Sequence, residues 1–328
     1  MSVLPVFCPR RGCPSRSGAT FSCRRRGTFF RRCDQREVQR FQCLSCKRGF
    51  SEQTLRVNYR LKRPDLLPRF FLDRVSKVTH RQSARNHACS RSTEERHFRL
   101  MSDHCHDFHA LRLAGVKASG GVEGVFLLDE LETFEQNRLK KPVTVPILIE
   151  RKSGFVIDTR AGTLPARRKK GAPRPPGDAR KSESRKVVRE AFERLRETAP
   201  TTGTLRVLTD QKHSYAKILK QLFGERCQHV TTHSTRKRDV RNPLWPINHT
   251  LARVRDNASR LVRRNWGAAK KRRWIAGQLA IFVCYRNYVR GRTNHHPRTT
   301  PAMTLGVLAQ QWSVGQLLEE KIFPAPAA

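Results

Sequence analysis

Acidic residues are scarce in this sequence. The 328 residues include 27 aspartates and glutamates against 67 lysines and arginines, which gives a formal net charge of +40. The basic residues are spread along the whole chain rather than confined to a tail. A protein with so positive a field attracts polyanions and raises their encounter rate. The imbalance therefore favours nucleic acid as the partner, and the alternative is a basic protein of the ribosomal type.

Long hydrophobic runs are also absent. No apolar stretch reaches the ~20 residues that a membrane helix needs, and residues 1–7 lack the apolar segment of a secretory signal. We therefore expect no membrane partner and a cytoplasmic location. In a reducing compartment the ten cysteines are expected to be metal ligands or buried thiols rather than disulfides.

Six of the cysteines lie before residue 47 and mark a small N-terminal module, residues 1–58. Zinc is held by four soft ligands in a tetrahedron, and two close cysteine pairs supply them without a large core. The predicted ligands of this zinc ribbon are Cys8, Cys13, Cys43 and Cys46. Gly49 is expected to make the sharp turn beside the second pair. Cys23 and Cys33 are alternative ligands, and ordinary reduced thiols are the alternative to a metal site.

Residues 60–115 have the pattern of a helix-turn-helix. Apolar residues recur at helical spacing from Leu66 to Val75, and Thr79 is placed to cap a second helix with Gln82 at the capping-box position. A third helix is expected to begin after Ser90 or Ser92. Arg91 and Ser92 then lie at the end that a major-groove reader presents to DNA. The alternative is a plain helical hairpin.

From residue 121 the pattern changes to short strands, two of which end in acids. A buried strand ends at Asp129, a hairpin follows over 144–158, and another apolar strand ends at Asp210 after a helix over 184–198. Further helices and a short strand follow. This order is typical of an α/β RNase H-like fold, in which the first and fourth strands are adjacent. Asp129 and Asp210 would then face each other.

Two neighbouring carboxylates bind hard divalent cations through oxygen. A pair of such ions activates a water or a 3′-hydroxyl and stabilises the leaving oxygen of a phosphodiester. The sequence therefore predicts Mg²⁺ or Mn²⁺ at Asp129 and Asp210. For either residue alone, the alternative is a solvated strand end or a helix cap.

Six segments of the sequence together carry a resemblance to a known family, and they are 39–51, 128–130, 208–215, 242–250, 256–266 and 298–306. In these segments the sequence resembles insertion-sequence transposases of the DDE type that carry an N-terminal zinc ribbon and a helix-turn-helix. The resemblance implies that Asp129 and Asp210 are the first two catalytic acids. It places Asn248 where many members have a glutamate. Asp256 and Asp239 are alternatives for this third position.

A basic track follows the predicted site, with Trp266 and Trp274 among its residues. Such residues neutralise phosphates, and aromatic rings stack on unpaired bases. The alternatives are a solvated basic surface and tryptophans packed in the core. The predicted DNA contacts here are Arg255, Arg260, Arg263, Arg264, Lys270 and Lys271.

We expect a transposase that binds the double-stranded ends of its element and joins them to target DNA, as a homo-oligomer on DNA. The expected domains are the ribbon (1–58), the helix-turn-helix (60–115), a catalytic domain (121–290) with a basic insertion (161–182), and a C-terminal tail (291–328). The alternatives are a DNA-binding protein without catalysis and, in third place, RNA processing on the same scaffold.

Overall fold

The computed structural model describes residues 5, 7–10, 12–16, 21–54, 56–167, 180–261 and 269–322. The described chain forms a small three-stranded sheet followed by a helical segment and a larger mixed α/β unit. None of the helices in this described part combines the length and the apolar character needed to cross a bilayer.

The N-terminal sheet is an antiparallel meander. Its strands are β1 (Cys23–Arg31), β2 (Arg36–Cys43) and β3 (Gly49–Ser51), in the order β1-β2-β3. Phe41 and Phe50 stack at 5.6 Å and form a small core with the cysteines. The Arg31 guanidinium donates to the carbonyl of Asn58 at 2.9 Å, which fastens the sheet to the segment that follows.

The next segment folds as three helices, α1 (Leu66–Arg74), α2 (His80–Asn86) and α3 (Arg91–Ala118). The predicted capping box is confirmed, because the Thr79 side chain accepts from the amide of Gln82 and the Gln82 side chain accepts from that of Thr79. Ser90, rather than Ser92, caps α3 by accepting from the amide of Thr93. The caps satisfy amides that a helix start leaves without partners.

The large sheet has the strand order β6-β5-β4-β8-β9, with β7 paired to β5. Its strands are β4 (Val125–Phe134), β5 (Pro142–Glu150), β6 (Val156–Thr159), β7 (Gly162–Thr163), β8 (Leu205–Asp210) and β9 (Cys227–Thr232). β4 is antiparallel to β5 and parallel to β8. The predicted adjacency of the first and fourth strands is thus confirmed in β4 and β8.

Helices cover both faces of this sheet. They are α4 (Ser184–Thr198), α5 (His213–Phe223), α6 (Trp245–Asn257) and α7 (Arg272–Cys284). Alternation along β4 divides the core: Phe126 and Leu128 join the cluster with α4 and α5, while Leu127 and Leu131 join the cluster with α6 and α7. The same alternation puts Asp129 on the α6 side and Glu130 on the other. α6 ends at Asn257, and Ala258 after it is extended.

The helical segment and the sheet share one apolar core. Phe70, Phe98 and Phe108 belong to the same cluster as Phe126 of β4, and α3 packs along α7. Residues 301–319 add two short helices, α8 (Pro301–Thr304) and α9 (Val314–Glu319). Leu317 of α9 is fully buried against this core.

A buried ionic contact fixes α1 and α2 to α3. Arg74 Nε lies 3.4 Å from Glu94 Oε1, with side chains 1% and 0% exposed, and His80 Nδ1 contacts the other oxygen of Glu94. Desolvation makes such groups costly to leave without a partner. Burial accordingly lowers the pKa of His80 to about 2, which keeps its ring neutral.

We expect Glu94→Ala to lower the free energy of unfolding by about 3–5 kcal/mol, because it leaves Arg74 buried without its carboxylate. The matched control is Glu95→Ala, which removes the half-exposed partner of Arg91 and is expected to cost about 0–1 kcal/mol. Urea unfolding followed by circular dichroism measures both. Equal losses in the two variants would show that the buried contact is not structural.

Candidate functional site

The four predicted zinc ligands lie together. The Sγ atoms of Cys8, Cys13, Cys43 and Cys46 are all within 4.8 Å of one another. Cys8 Sγ lies 3.6 Å from Cys46 Sγ, and Cys13 Sγ lies 3.7 Å from Cys43 Sγ. A tetrahedral zinc with Zn–S bonds of about 2.3 Å requires sulfur–sulfur distances of about 3.8 Å. The cluster can therefore hold a zinc ion, as predicted from the cysteine pairs.

The turn between β2 and β3 shapes this cluster. Lys47 takes the left-handed conformation, with φ 58°. The expectation for Gly49 is wrong: this residue begins β3, and a Cβ there would meet nothing nearer than the Phe41 carbonyl oxygen at 3.9 Å. Burial acts to raise the pKa of the Cys43 thiol, but hydrogen bonds from the amides of Cys46 and Ser45 and from the thiols of Cys13 and Cys46 together lower it to about 6. Thiolate is the form that binds metal.

Neither of the alternative cysteines joins the cluster among the described residues. Cys23 pairs with Cys43 across the β1–β2 ladder and is half-buried beside the cluster. Cys33 is exposed at the turn between the two strands. The structure thus selects one set of four from the six cysteines.

The second site lies where β4 and β8 separate. Their parallel ladder ends at the pair of Leu127 and Leu208. Beyond it each strand continues with its outer neighbour: Asp129 pairs with Ile147 of β5, and Asp210 pairs with Thr232 of β9. Both aspartates lie two residues past the last shared pair. Separating parallel strands leave a crevice at their carboxyl ends, a common position for a ligand.

The crevice makes ionisation of Asp129 costly. Burial raises the pKa of Asp129 to about 6, the charge of Asp210 adds to the rise, and the Glu130 amide, which donates to Asp129 Oδ1 at 2.7 Å, opposes it. Asp210 Oδ1 accepts from the backbone amide of Lys212 at 3.1 Å. Two carboxylates that line one cavity, with the charge of one raising the pKa of the other, favour a cation between them.

An open cavity of about 890 Å³ contains both aspartates. Basic side chains surround them, and Arg238 contributes a charge that favours the ionised form of Asp129. The other cations that line the cavity are Arg138, Arg167, Lys212 and Arg255. A cavity lined by these two aspartates and by several cations suits a phosphodiester with a divalent ion.

The third predicted position lies on α6. The α6 residues that line the cavity are Leu251 and Arg255, and Asn248 is not among them. Asn248 precedes Leu251 by three residues and so lies on the same side of the helix, one turn from the cavity. Asp256 faces elsewhere, because its carboxylate is 74% exposed and pairs with Lys77 Nζ at 2.7 Å. Asp239 accepts from the amide of Arg241 and also lies outside the cavity lining.

The structure places the predicted DNA contacts in different parts of the protein. Arg91 and Ser92 are exposed at the start of α3, where Arg91 Nε pairs with Glu95 at 2.7 Å. Arg255 lines the cavity, and Lys270 and Lys271 are exposed just before α7. Arg263 and Arg264, with Trp266, lie outside the described residues.

The Arg260 side chain packs against aromatic rings of the protein and is not placed as the predicted DNA contact. Its guanidinium lies 5.7 Å from the Phe98 ring centroid and 5.8 Å from that of Trp274. Burial lowers the pKa of Arg260 to about 10. Trp274 itself packs against both core clusters, as its core alternative expects. The position favours a structural role for Arg260.

Sequence reasoning missed a second polar group in the cavity. Glu130, on the opposite side of β4 from Asp129, accepts from Lys212 Nζ and from the Tyr215 hydroxyl at 2.7 Å. Burial acts to raise the pKa of Glu130, but hydrogen bonds from Lys212, Thr144 and Tyr215 outweigh it and lower that pKa. The sequence offered two signals: Glu130 follows Asp129 directly on a strand, and Lys212 follows Asp210 by two residues. Neither signal identifies Glu130 and Lys212 as partners, because they are 82 residues apart in the chain.

No protein-family model matches this sequence, and no curated protein matches it either. Among solved structures, the chain is similar to one in the cryo-EM structure of the simian T-cell lymphotropic virus intasome with PP2A regulatory subunit B56 gamma. That match has a TM-score of 0.32 and 12% identity, and it covers 64% of this chain but only 59% of the other. A second similar structure is the crystal structure of the Mos1 strand transfer complex, with a TM-score of 0.25, 12% identity, and 68% and 76% coverage. Both likenesses are remote.

Purified protein is expected to contain zinc that Cys43→Ser loses, because three thiolates and a hydroxyl do not replace four thiolates. The matched control is Cys33→Ser, which changes an exposed cysteine outside the cluster. Mass spectrometry of the metal content compares them with the unmodified chain. Full zinc in Cys43→Ser, or none in the unmodified chain, would contradict the assignment of these ligands.

Proposed function

We propose that this protein is a DDE-type DNA transposase that catalyses metal-dependent strand cleavage and strand transfer. The observation that carries the proposal is the pair of aspartates, Asp129 and Asp210, at the point where β4 and β8 separate. The excess of basic residues and the cations around the cavity support DNA as the substrate.

The donor set of the cavity fits a hard divalent ion. Asp129 and Asp210 offer carboxylate oxygens, and both are in a polar cavity open to solvent. Bound there, Mg²⁺ or Mn²⁺ would polarise the phosphate and lower the pKa of an attacking water or 3′-hydroxyl. Asn248 is proposed as the third ligand, through its amide oxygen, which requires it to turn toward the cavity when DNA and metal are bound.

The remaining groups of the cavity position DNA. Arg138, Arg238 and Arg255 line the walls around the aspartates, and guanidinium groups bind phosphate oxygens in pairs. Their charge keeps the scissile strand against the two aspartates. Without these side chains, a protein of net charge +40 would bind DNA at random positions on its surface. In the first step water attacks phosphorus and the bond to the 3′ oxygen breaks. The products are a 5′-phosphate and a 3′-hydroxyl. This hydroxyl next attacks a phosphodiester of target DNA, which forms a new bond to phosphorus, breaks the bond to the target's 3′ oxygen and leaves a 3′-hydroxyl on the target strand.

The N-terminal parts are proposed to recognise the ends of the element. Residues 1–58 form the zinc ribbon and residues 60–115 the helix-turn-helix, with Arg91 and Ser92 at the reading end of α3. The proposed catalytic domain is 121–290, and residues 291–328 are the proposed C-terminal tail. The basic insertion proposed over 161–182 lies partly outside the described residues, which stop at 167 and resume at 180. We further propose a homo-oligomer on paired DNA ends, and action in the bacterial cytoplasm at the nucleoid.

A DNA-binding protein without catalysis is the second candidate. The observation that favours it is the α6 side of the cavity, which presents Leu251 and Arg255 and no carboxylate. An amide at the third position binds metal more weakly than a carboxylate. Tight binding to element ends without cleavage in Mg²⁺ or Mn²⁺ would identify this candidate.

Asp129→Asn is expected to reduce cleavage of a duplex carrying the element's ends by at least about 10³-fold, because the metal loses a charged ligand. DNA affinity in EDTA should stay within about threefold, since the substitution removes no basic group. Gel assays of cleavage and of mobility shift measure the two effects. Asp256→Asn is the matched control and should retain both activities. Cleavage retained in Asp129→Asn, or lost in Asp256→Asn, would contradict the assignment.

Metal binding is expected to weaken as the pH falls through about 6. Because burial raises the pKa of Asp129 to about 6, protons compete with the metal for this carboxylate below that pH. Calorimetric titration with Mn²⁺ should give about tenfold lower affinity at pH 5 than at pH 7.5. Asp256→Asn should show the same dependence as the unmodified chain. Equal affinity at both pH values would argue against Asp129 as a ligand.

A further inference from the structure

Glu130 is held by four donors on the side of β4 opposite Asp129. Its Oε1 accepts from Lys212 Nζ and from the Tyr215 hydroxyl, and its Oε2 accepts from Thr144 Oγ1 at 2.5 Å and Ser184 Oγ at 2.9 Å. The side chain is only 10% exposed. A carboxylate has about four acceptor positions. Glu130 therefore has little capacity left to bind a metal, although it lines the same cavity as the aspartates.

Lys212 is held by the same group of side chains. Its Nζ contacts Glu130 and donates to Ser184 Oγ at 2.7 Å, and it lies 5.5 Å from the centroid of the Tyr215 ring. An ammonium has three donors, so its hydrogen bonds to other described residues leave one proton for the cavity. The Lys212 side chain is 40% exposed and lines the cavity with Asp129 and Asp210. The contacts fix the direction of an otherwise flexible side chain.

The backbone couples this lysine to the metal-binding acids. Lys212 follows Asp210 by two residues, and its amide donates to Asp210 Oδ1 at 3.1 Å. It is also the N-cap of α5, whose first turn carries Tyr215. Its ammonium and the Asp210 carboxylate are therefore placed by the same turn. If the ion pair of Lys212 and Glu130 served stability alone, the Lys212 ammonium would not need to be exposed to the cavity.

We propose that Lys212 binds a non-bridging oxygen of the phosphate on which Asp129 and Asp210 act, and that Glu130 is the positioning residue that holds it there. This inference rests on the proposed function. The lysine supplies a fixed positive charge where negative charge builds on the phosphate. Glu130 acts through Lys212, and Tyr215, Thr144 and Ser184 keep Glu130 in place.

The test compares Lys212→Met, Lys212→Arg, Glu130→Gln and the double variant Glu130→Gln/Lys212→Met in metal-dependent cleavage. Lys212→Met should lower kcat about 10- to 100-fold, the effect of one charged hydrogen bond in the transition state. Lys212→Arg should recover most of the rate because it keeps the charge. Glu130→Gln should slow the reaction alone but add nothing in the double variant, since it acts through the lysine. Lys217→Met, on the exposed side of α5, is the matched control and should be unaffected.

A second measurement does not depend on cleavage. DNA affinity in EDTA across a KCl series reports the number of phosphate contacts, and each contact contributes a slope of about 0.9. Lys212→Met should reduce the slope by about that amount, while Lys212→Arg and Lys217→Met should leave it unchanged. The double variant leaves no buried carboxylate without its cation, so it serves the same test if Lys212→Met fails to fold.

The outcomes separate this inference from the proposed function. An unmodified protein that never cleaves, together with a reduced slope in Lys212→Met, would overturn the transposase and keep the phosphate contact. A Lys212→Met or double variant with the original slope and the original kcat would overturn the role of Lys212 and leave the transposase intact. Additive losses for Glu130→Gln and Lys212→Met would overturn positioning through the lysine.

Discussion

The end of the β4–β8 ladder is the constraint on which the rest of the site depends. Parallel strands in register carry equivalent positions side by side, and here pairing stops at Leu127 and Leu208 while β5 and β9 keep each strand extended. Because side chains alternate, Asp129 and Asp210 point to the α6 side and Glu130 points to the α4–α5 side. The same crevice is thus lined by Asp129 and Asp210 from the α6 side, and by Lys212, which Glu130 contacts, from the α4–α5 side.

The charges around this crevice are the reason that it fits the proposed metal and phosphate. Burial raises the pKa of Asp129 and the charge of Asp210 adds to the rise, so it is costly to keep both carboxylates ionised in this crevice. A divalent ion removes that cost and supplies the site for a phosphate. Glu130 does not need a metal ion, because the Lys212 ammonium already neutralises its carboxylate charge. Neighbouring acids on one strand are therefore prepared for different tasks by their surroundings.

Local signals in the sequence predicted much of this structure. The paired cysteines identified the four that cluster, the Thr79 cap with Gln82 was found from spacing, and the strands that carry Asp129 and Asp210 were found from apolar runs. The expectation that the first strand ends at Asp129 was wrong, because β4 continues to Phe134 along its pairing with β5. What failed depended on distant contacts. The burial of Arg260 against Phe98 and Trp274 and the holding of Lys212 by Glu130 join residues far apart in the chain. Lys47, and not Gly49, takes the left-handed conformation in the turn between β2 and β3. Residue type alone does not predict this, because a non-glycine residue adopts that conformation only occasionally.

The most direct test of the account is anomalous diffraction from crystals of the protein grown with Mn²⁺ and a DNA end. The account predicts an anomalous peak between the carboxylates of Asp129 and Asp210, with a phosphate oxygen of DNA within bonding distance of the ion. Manganese bound elsewhere, or a DNA strand that passes this crevice without a metal between the two aspartates, would contradict it.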